Sequence, residues 1–220
     1  MTKKSYLTFG ITLGSLVLTL LLIGCARKVL IKLPPRIDLL PYQTMGVIEF
    51  SSNSTDKLNQ FATQKFISVI QRAQPGTHFL ELGSKEQLLK STSHNEINPE
   101  VMKIIGKKYN VATVFTGSFE VSEPQRSVSF SKDLSSLYAG SSVEISLTLK
   151  HWDTESGATI WTNSRSIKKS LAKIKKRTGQ PMSFRFSLSE DKYSGVIAKL
   201  VNKIASDFRT RYEERVIVKE

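Results

Sequence analysis

The N-terminal segment constrains this chain most, because it decides which residues belong to the folded protein. Lys3 and Lys4 precede residues 6–23, which contain no charge, and the small residue Gly24 follows. A short positive region, an apolar run and a small residue form the layout of a secretory signal peptide. The apolar run is short for a transmembrane helix, which needs about 20 mainly apolar residues. We predict a signal peptide over residues 1–24, with an uncleaved membrane anchor as the alternative.

The only cysteine of the chain directly follows this segment. Leu22, Ile23, Gly24 and Cys25 resemble a lipobox, in which Leu22, Ile23 and Gly24 are the recognition residues. The resemblance implies cleavage before Cys25, a diacylated thiol and an amine acylated by a fatty acid such as palmitate. Such a protein is anchored stably, since each buried methylene contributes about 0.8 kcal/mol. Ala26 stands where an aspartate resembles an inner-membrane retention signal, so we expect a lipid anchor in the outer membrane, facing the periplasm.

Composition narrows the chemistry and the partners. A single cysteine leaves no internal disulfide and no cysteine-based metal site. The net charge is +13, and it falls to +11 when Lys3 and Lys4 leave with the signal peptide. Outside the cytoplasm we expect no nucleic acid as a partner. A solvated basic surface is the favoured reading of this charge, and anionic lipid or cell-wall polymer is the alternative.

A basic cluster near the C-terminal end is the most unusual local feature. It consists of Lys168, Lys169, Lys173, Lys175, Lys176 and Arg177. We expect these residues to form a solvated loop. The alternative is a contact with acidic polymer or phospholipid headgroups, since each charge near an anionic surface contributes about 1 kcal/mol.

Hydrophobic periodicity predicts the elements of the mature chain. The prolines of residues 25–45 indicate an extended, partly docked arm. Strands are predicted at 46–50, 77–82 and 111–121, and helices at 56–73, 84–89, 98–108 and 190–211, where Ser84 and Asn98 are capping residues.

The pattern is less regular between the strand predicted at 111–121 and the helix predicted at 190–211. Residues 122–142 are rich in serine and are expected to be irregular, while residues 143–150 and 158–167 flank a turn at 153–157 and predict a hairpin. A further strand is expected at 182–188. These elements predict one α/β (α+β) domain over residues 46–220, with a mixed sheet, crossover helices, a hairpin in the C-terminal half and a long C-terminal helix.

No residue pattern indicates catalysis, a cofactor or a metal. His78, His94 and His151 lack metal-ligand spacing. The Ser-x-x-Lys pattern occurs five times, without the partner motifs of a penicillin-binding active site. It is expected by chance in a chain rich in serine and lysine. We therefore expect no enzyme activity, and a periplasmic enzyme is the least favoured reading.

The order of several short segments resembles a known family. The segments are Gly46–Phe50, Ala62–Phe66, Phe79–Ser84, Ile105–Tyr109, Val114–Ser118 and Leu147–Gly157 with Ile160 and Trp161. They resemble the curli secretion-channel lipoprotein (CsgG) family and related periplasmic lipoproteins such as the LpoB-type activators of penicillin-binding proteins. The resemblance implies a periplasmic α/β domain on the outer membrane that works through protein contacts.

In channel members of that family, two hairpins from each protomer cross the membrane in a ring. Residues 122–142 and 168–189 occupy the corresponding places, but Lys132 and Asp133 interrupt the alternation that a spanning strand needs over about 9–11 residues. We therefore expect an accessory or scaffold lipoprotein of envelope assembly or secretion with a protein partner. A ring-forming, homo-oligomeric secretion channel is the alternative. In either case we expect the interaction surface at a sheet edge or on the arm, residues 26–45.

Overall fold

The computed structural model of the chain describes residues 27–53, 55–130, 136–177 and 190–217. The chain divides into two compact units, one of residues 35–209 and one formed by the segments up to residue 34 and from residue 210. The predicted signal peptide, Cys25 and the strand expected at 182–188 lie outside the described residues.

The smaller unit contains a two-stranded ribbon. Strand β1 (Arg27–Leu33) pairs antiparallel with strand β9 (Arg211–Ile217), and every residue of β1 has a partner in β9. The register joins Arg27 to Ile217 at one end and Leu33 to Arg211 at the other.

The larger unit is organised around a mixed sheet. Its described strands are β2 (Met45–Val47), β3 (Ser51–Ser52), β4 (Phe79–Glu81), β5 (Thr113–Val121), β6 (Gln125–Phe130), β7 (Ser136–Asp153) and β8 (Thr159–Arg177). β2 lies between β4 and β5 and is parallel to both, and β3 is parallel to β5. β7 pairs antiparallel with β5 and β6, and also with β8. The predicted mixed sheet and hairpin are therefore confirmed.

Four described helices accompany the sheet: α1 (Asp56–Ala73), α2 (Lys85–Thr92), α3 (Pro99–Tyr109) and α4 (Glu190–Ile204). α2 begins with the predicted capping box between Ser84 and Gln87. α3 begins with Pro99, and the side chain of the capping residue Asn98 accepts a hydrogen bond from the N–H of Val101 at 2.9 Å. None of the helices in the described ranges is long and apolar enough to cross a membrane.

Two hydrophobic clusters cover opposite faces of the sheet. Val114 and Phe115 are adjacent in β5 and belong to different clusters, because successive side chains of a strand point to opposite faces. The first cluster packs α1 and α4 against the sheet, and the ring of Phe66 lies 5.2 Å from that of Phe115 and 6.4 Å from that of Phe208. The second cluster packs α2 and α3 against the other face, with Trp152 of β7 at its margin.

Gln74 fastens the proline-containing segment to the larger unit. It caps α1, and its Oε1 accepts a hydrogen bond from the N–H of Leu39 at 2.8 Å. Its Nε2 donates to the carbonyls of Ile37 at 2.7 Å and Phe208 at 3.0 Å. Leu39 is fully buried. This part of the expected arm is thus packed into the protein's own core, which leaves it less surface for a partner.

The segment 122–142 differs from the sequence prediction. It was expected to be irregular, but β6 and the first part of β7 are strands that pair with each other from Gln125–Ser142 to Phe130–Leu137. Serine-rich strands lack a strong apolar alternation, and pairing with a neighbouring strand determines their conformation instead. Lys132 and Asp133 lie between the two strands, outside the described residues.

The C-terminal helix is also shorter than the expected 190–211. α4 ends at Ile204, a 3₁₀ turn follows over Ala205–Phe208, and β9 begins at Arg211. The carboxylate of Asp207 accepts hydrogen bonds from the indole of Trp161 at 3.2 Å and the amide of Asn163 at 2.9 Å. These contacts come from β8, so the helical periodicity of the sequence alone gives no sign of the helix end.

Candidate functional site

The outer edge of β8 is the candidate interaction site. β8 is 19 residues long and pairs with β7 on one side, while no described strand pairs with its other side. We call this unpaired side the β8 edge. An unpaired strand edge presents backbone N–H and C=O groups that another chain can bind, and lysines are a common protection of such edges against unwanted pairing.

The predicted basic cluster lies on β8 rather than in a loop. Lys168 and Lys169 are exposed and pair with Glu144 and Val143 of β7. Exposed Arg165 precedes them on the same strand. The remaining members pair with the first residues of β7, although their side chains lie outside the described ones; they are Lys173, Lys175, Lys176 and Arg177. The expected loop is therefore wrong for the backbone of this cluster, which is part of a strand.

The pairing of β8 with β7 is irregular at one point within the basic cluster. The register shifts between Ser141 and Ser142 of β7, so that Leu171 of β8 has no partner there. A bulge of this kind increases the local twist and interrupts the pairing edge. The regular part of the β8 edge that carries described cations is therefore the part before Leu171.

A shallow cleft of about 270 Å³ lies on the sheet face that α2 and α3 cover only in part. Its polar lining residues include Glu49, Lys85, Glu96, Thr116, Ser118, Thr148 and Lys150. Trp152 forms one wall, and its indole N–H donates a hydrogen bond to the hydroxyl of Thr116 at 3.0 Å. The ammonium of Lys150 lies 5.5 Å from the centre of the Trp152 ring.

The polar side chains of the cleft can bind a polar ligand by hydrogen bonds. Its lining contains no histidine or cysteine and so offers no nucleophile–base pair of the Ser–His or Cys–His type. Trp152 is only 9% exposed, so its ring offers little surface for stacking. The sequence did not identify this cleft, because its residues come from five separate segments of the chain.

His151 is buried in the core, and its surroundings explain its ionisation. Its ring stacks on that of Phe115 with 4.0 Å between the ring centres, and the ring of Tyr42 meets it edge-on at 5.7 Å. Burial lowers the pKa of His151 to about 4, and the nearby carboxylate of Asp153 opposes this shift in part. Neither ring nitrogen has a hydrogen-bond partner among the described residues.

The other two histidines lie apart from His151. His78 is exposed, and the Nε2 atom of His94 lies 3.8 Å from a carboxylate oxygen of Glu100. Within the described parts of the chain, no three His, Cys, Asp or Glu side chains are grouped so that they could hold a metal ion. The expected absence of a cofactor stays a prediction.

The Ser-x-x-Lys pairs are not brought together where both side chains are described. Ser166 and Lys169 lie three positions apart on β8, and this odd spacing places them on opposite faces of the strand. The remaining four pairs each include a side chain outside the described ones. The four lipobox residues, Leu22, Ile23, Gly24 and Cys25, also lie outside the described residues.

Comparison with known proteins gives structural similarities only. No family model matches the chain, and no curated protein matches it in sequence. Solved structures do resemble it, including two that are named as lipoproteins.

Three of these structures illustrate the range. The PelC dodecamer from Paraburkholderia phytofirmans is 12% identical, with a TM-score of 0.40, over 84% of this chain and 99% of that one. The LpoB C-terminal domain from Escherichia coli is 10% identical, with a TM-score of 0.34, over 60% and 88%. A minor lipoprotein from Acinetobacter baumannii is 11% identical, with a TM-score of 0.30, over 79% and 100%. All three are distant from this chain in sequence and in superposition.

Proposed function

We propose that this chain is a lipoprotein anchored through Cys25 in the bacterial outer membrane, with a non-catalytic α+β domain in the periplasm. It serves as an accessory or scaffold in envelope assembly or secretion by binding another protein. The leader and the lipobox-like residues support the anchor. The observation that carries the protein-binding role is the unpaired β8 edge with its exposed cations.

The β8 edge suits a binding role for two reasons. Its backbone groups can form a ladder with an extended segment of a partner, which supplies affinity without a deep pocket. Arg165, Lys168 and Lys169 are exposed beside it and form no ion pair with a described carboxylate. A partner segment that carries carboxylates is therefore favoured over a neutral or basic one.

Anchoring is tested by incorporation of labelled palmitate into the full-length protein and into Cys25→Ser. We expect the label in the wild-type protein and none in the variant. The outer-membrane location is tested by separating inner and outer membranes from the same cells. Label retained in Cys25→Ser would contradict the proposed anchor.

Partner binding is tested by crosslinking in intact cells, because a periplasmic partner need not survive extraction. A photo-reactive residue replaces Ser164 or Ser166 on β8, and in a matched control it replaces Lys103, which is exposed on α3. We expect a discrete crosslinked protein from the β8 positions, reduced when Lys168 and Lys169 are both changed to Glu. Equal crosslinking from Lys103 would contradict a specific β8 edge.

A ring-forming secretion channel is the second candidate. The family resemblance associates residues 122–142 and 168–189 with membrane-spanning hairpins. Strands β6, β7 and β8 cover much of the first segment and residues 168–177 of the second. The mass of the lipidated protein, extracted in mild detergent and measured by light scattering, separates the two candidates. A discrete oligomer of about eight or more protomers would favour the channel, and a monomer or dimer would favour the accessory role.

A further inference from the structure

The ribbon of β1 and β9 exposes apolar side chains on one face. Leu30 is 61% exposed, Tyr212 62% and Val216 58%. Alternation along the strands and the register of the pair place these three positions on the same face, together with Lys28, Lys32 and Glu214. We call this set of six residues the ribbon face.

A two-stranded ribbon of this kind becomes more stable when another surface covers its apolar side chains. Isolated pairs of strands are at best marginally stable in water, because they bury too little apolar surface. Here three large apolar side chains remain exposed on seven pairs of residues. The surface that covers the ribbon face should therefore accept both apolar side chains and cations.

The charges of the ribbon favour an anionic surface. Lys28 is paired with Glu214 at 3.4 Å, whereas Lys32 forms no ion pair with any carboxylate of the described residues. On the opposite face of β9, Arg215 lies 3.5 Å from Glu213, and Arg211 adds a further cation. Cations thus outnumber carboxylates on both faces, and Tyr212 combines an aromatic ring with a polar tip, as is common at a membrane–water interface.

The position of the ribbon in the chain identifies which anionic surface is within reach. Arg27, its first residue, is two residues after Cys25. A fully extended chain covers at most about 3.6 Å per residue, so the α-carbons of these two residues lie within about 7 Å of each other. If Cys25 carries acyl chains, the ribbon begins at the lipid headgroups.

We propose that the ribbon face lies on the anionic surface of the lipid bilayer, with Leu30, Tyr212 and Val216 inserted at the headgroup level. This inference rests on the acylation of Cys25 in the proposed function. The lipid anchor attaches the chain to the membrane. The ribbon contact determines which face of the ribbon lies against the bilayer. Lys32 strengthens the contact by its attraction to anionic headgroups.

The test uses the lipidated, signal-cleaved protein in vesicles of phosphatidylglycerol and phosphatidylcholine. Each variant carries one nitroxide label on a new cysteine, which is the only free thiol because the Cys25 sulfur is blocked by the lipid. Tyr212→Cys and Val216→Cys report on the ribbon face, and Glu213→Cys and Arg215→Cys are matched controls on the opposite face of the same strand. The readout is the accessibility of each label to oxygen, which concentrates in lipid, and to a water-soluble nickel complex.

We expect labels at 212 and 216 to be more accessible to oxygen and less accessible to nickel than labels at 213 and 215. Lys32→Gln should reduce the ratio of docked to undocked ribbon about fivefold, the effect of one charge near an anionic surface. Pure phosphatidylcholine should reduce the difference between the two faces. Because two separate sites report on the ribbon face, damage to the strand by one substitution does not decide the outcome.

Three results would overturn the inference, and they are distinguishable. Equal accessibility on both faces, in protein whose mass shows acylated Cys25, refutes the ribbon contact and leaves the proposed anchor intact. A mass without acyl chains refutes the anchor and the ribbon contact together. Protection at 212 that is independent of lipid composition and accompanied by spin–spin broadening shows that a second copy of the chain covers the ribbon face instead.

Discussion

His151 makes the stability of the larger unit depend on pH in a calculable way. In the unfolded chain its pKa is the ordinary 6.5, whereas burial against Phe115 lowers the pKa in the folded protein to about 4. The unfolded state therefore binds more protons between these two values, and stability falls as the pH falls. The contribution of His151 is fully present above pH 6.5 and is lost progressively down to pH 4.

The size of the effect follows from the two pKa values. Each unit of difference between the two pKa values corresponds to about 1.4 kcal/mol. In the unfolded chain the imidazole of His151 is not fully protonated until well below pH 6.5. Between pH 7.5 and pH 4.5 the free energy of unfolding should fall by about 2.5 kcal/mol from His151 alone. The pKa of Asp153 is lowered, chiefly by hydrogen bonds from Ser156, so the stability it contributes is lost below its ordinary value of 3.8, outside this interval.

The assay is urea unfolding of wild-type protein, His151→Leu and His78→Gln at pH 7.5 and pH 4.5. His151→Leu should lose about 2.5 kcal/mol less on acidification than wild type. At pH 7.5 it should be at least as stable, since the neutral imidazole buries a hydrogen-bond donor that has no partner among the described residues, at a cost of about 1–3 kcal/mol. His78→Gln changes an exposed histidine and should behave as wild type. Equal acid losses in wild type and His151→Leu would refute this reasoning.

Other expected outcomes concern separate parts of the chain. Gln74→Ala removes three hydrogen bonds to backbone groups and should lower the free energy of unfolding by about 2–4 kcal/mol. The control Gln64→Ala removes one exposed hydrogen bond and should change the free energy of unfolding by less than about 0.5 kcal/mol. Urea unfolding measures both, and equal losses would contradict the role of Gln74 in holding the proline-containing segment. Gly117→Ala should cost about 1–3 kcal/mol, because its Cβ would lie 2.6 Å from two buried side chains. In Gly195→Ala on α4 the new Cβ meets no atom within 4 Å, and the substitution should instead stabilise the protein by about 1 kcal/mol. Thermal unfolding compares the two variants. An unchanged melting temperature in Gly117→Ala would contradict the predicted steric clash. Cys25→Ser should accumulate as uncleaved precursor, visible by its mass, and a normal mature mass would contradict the lipobox reading.

Local signals in the sequence predicted the parts of the fold that depend on neighbouring residues. Ser84 with Gln87, and Asn98 with Pro99, marked two helix starts correctly because capping involves residues only three positions apart. The alternation over residues 143–150 predicted the middle of β7, and one more step of the same alternation would have placed His151 on the buried face.

The parts that the sequence did not predict depend on residues far apart in the chain. β9 continues a helical apolar pattern, but its partner β1 lies at the other end of the described chain. Cys25 could be proposed as a lipidation site from the sequence, because the residues that resemble a lipobox are contiguous. The β8 edge and the cleft could not be located in the same way, since an unpaired edge is defined by which strands pair elsewhere.

The contact between Asp207 and the proline-containing segment has a consequence for the order of assembly. Within the larger unit, the carbonyl of Asp207 accepts hydrogen bonds from the N–H groups of Arg36 at 2.9 Å and Ile37 at 3.1 Å. Folding of this unit therefore brings together the two points of the chain from which β1 and β9 depart. Once residues 35–209 have folded, they hold the ends of β1 and β9 close together, as the turn of a hairpin holds its two strands. Most of the entropy cost of closing this long loop is therefore met before the ribbon pairs. We therefore expect the ribbon to pair last, after the larger unit has folded.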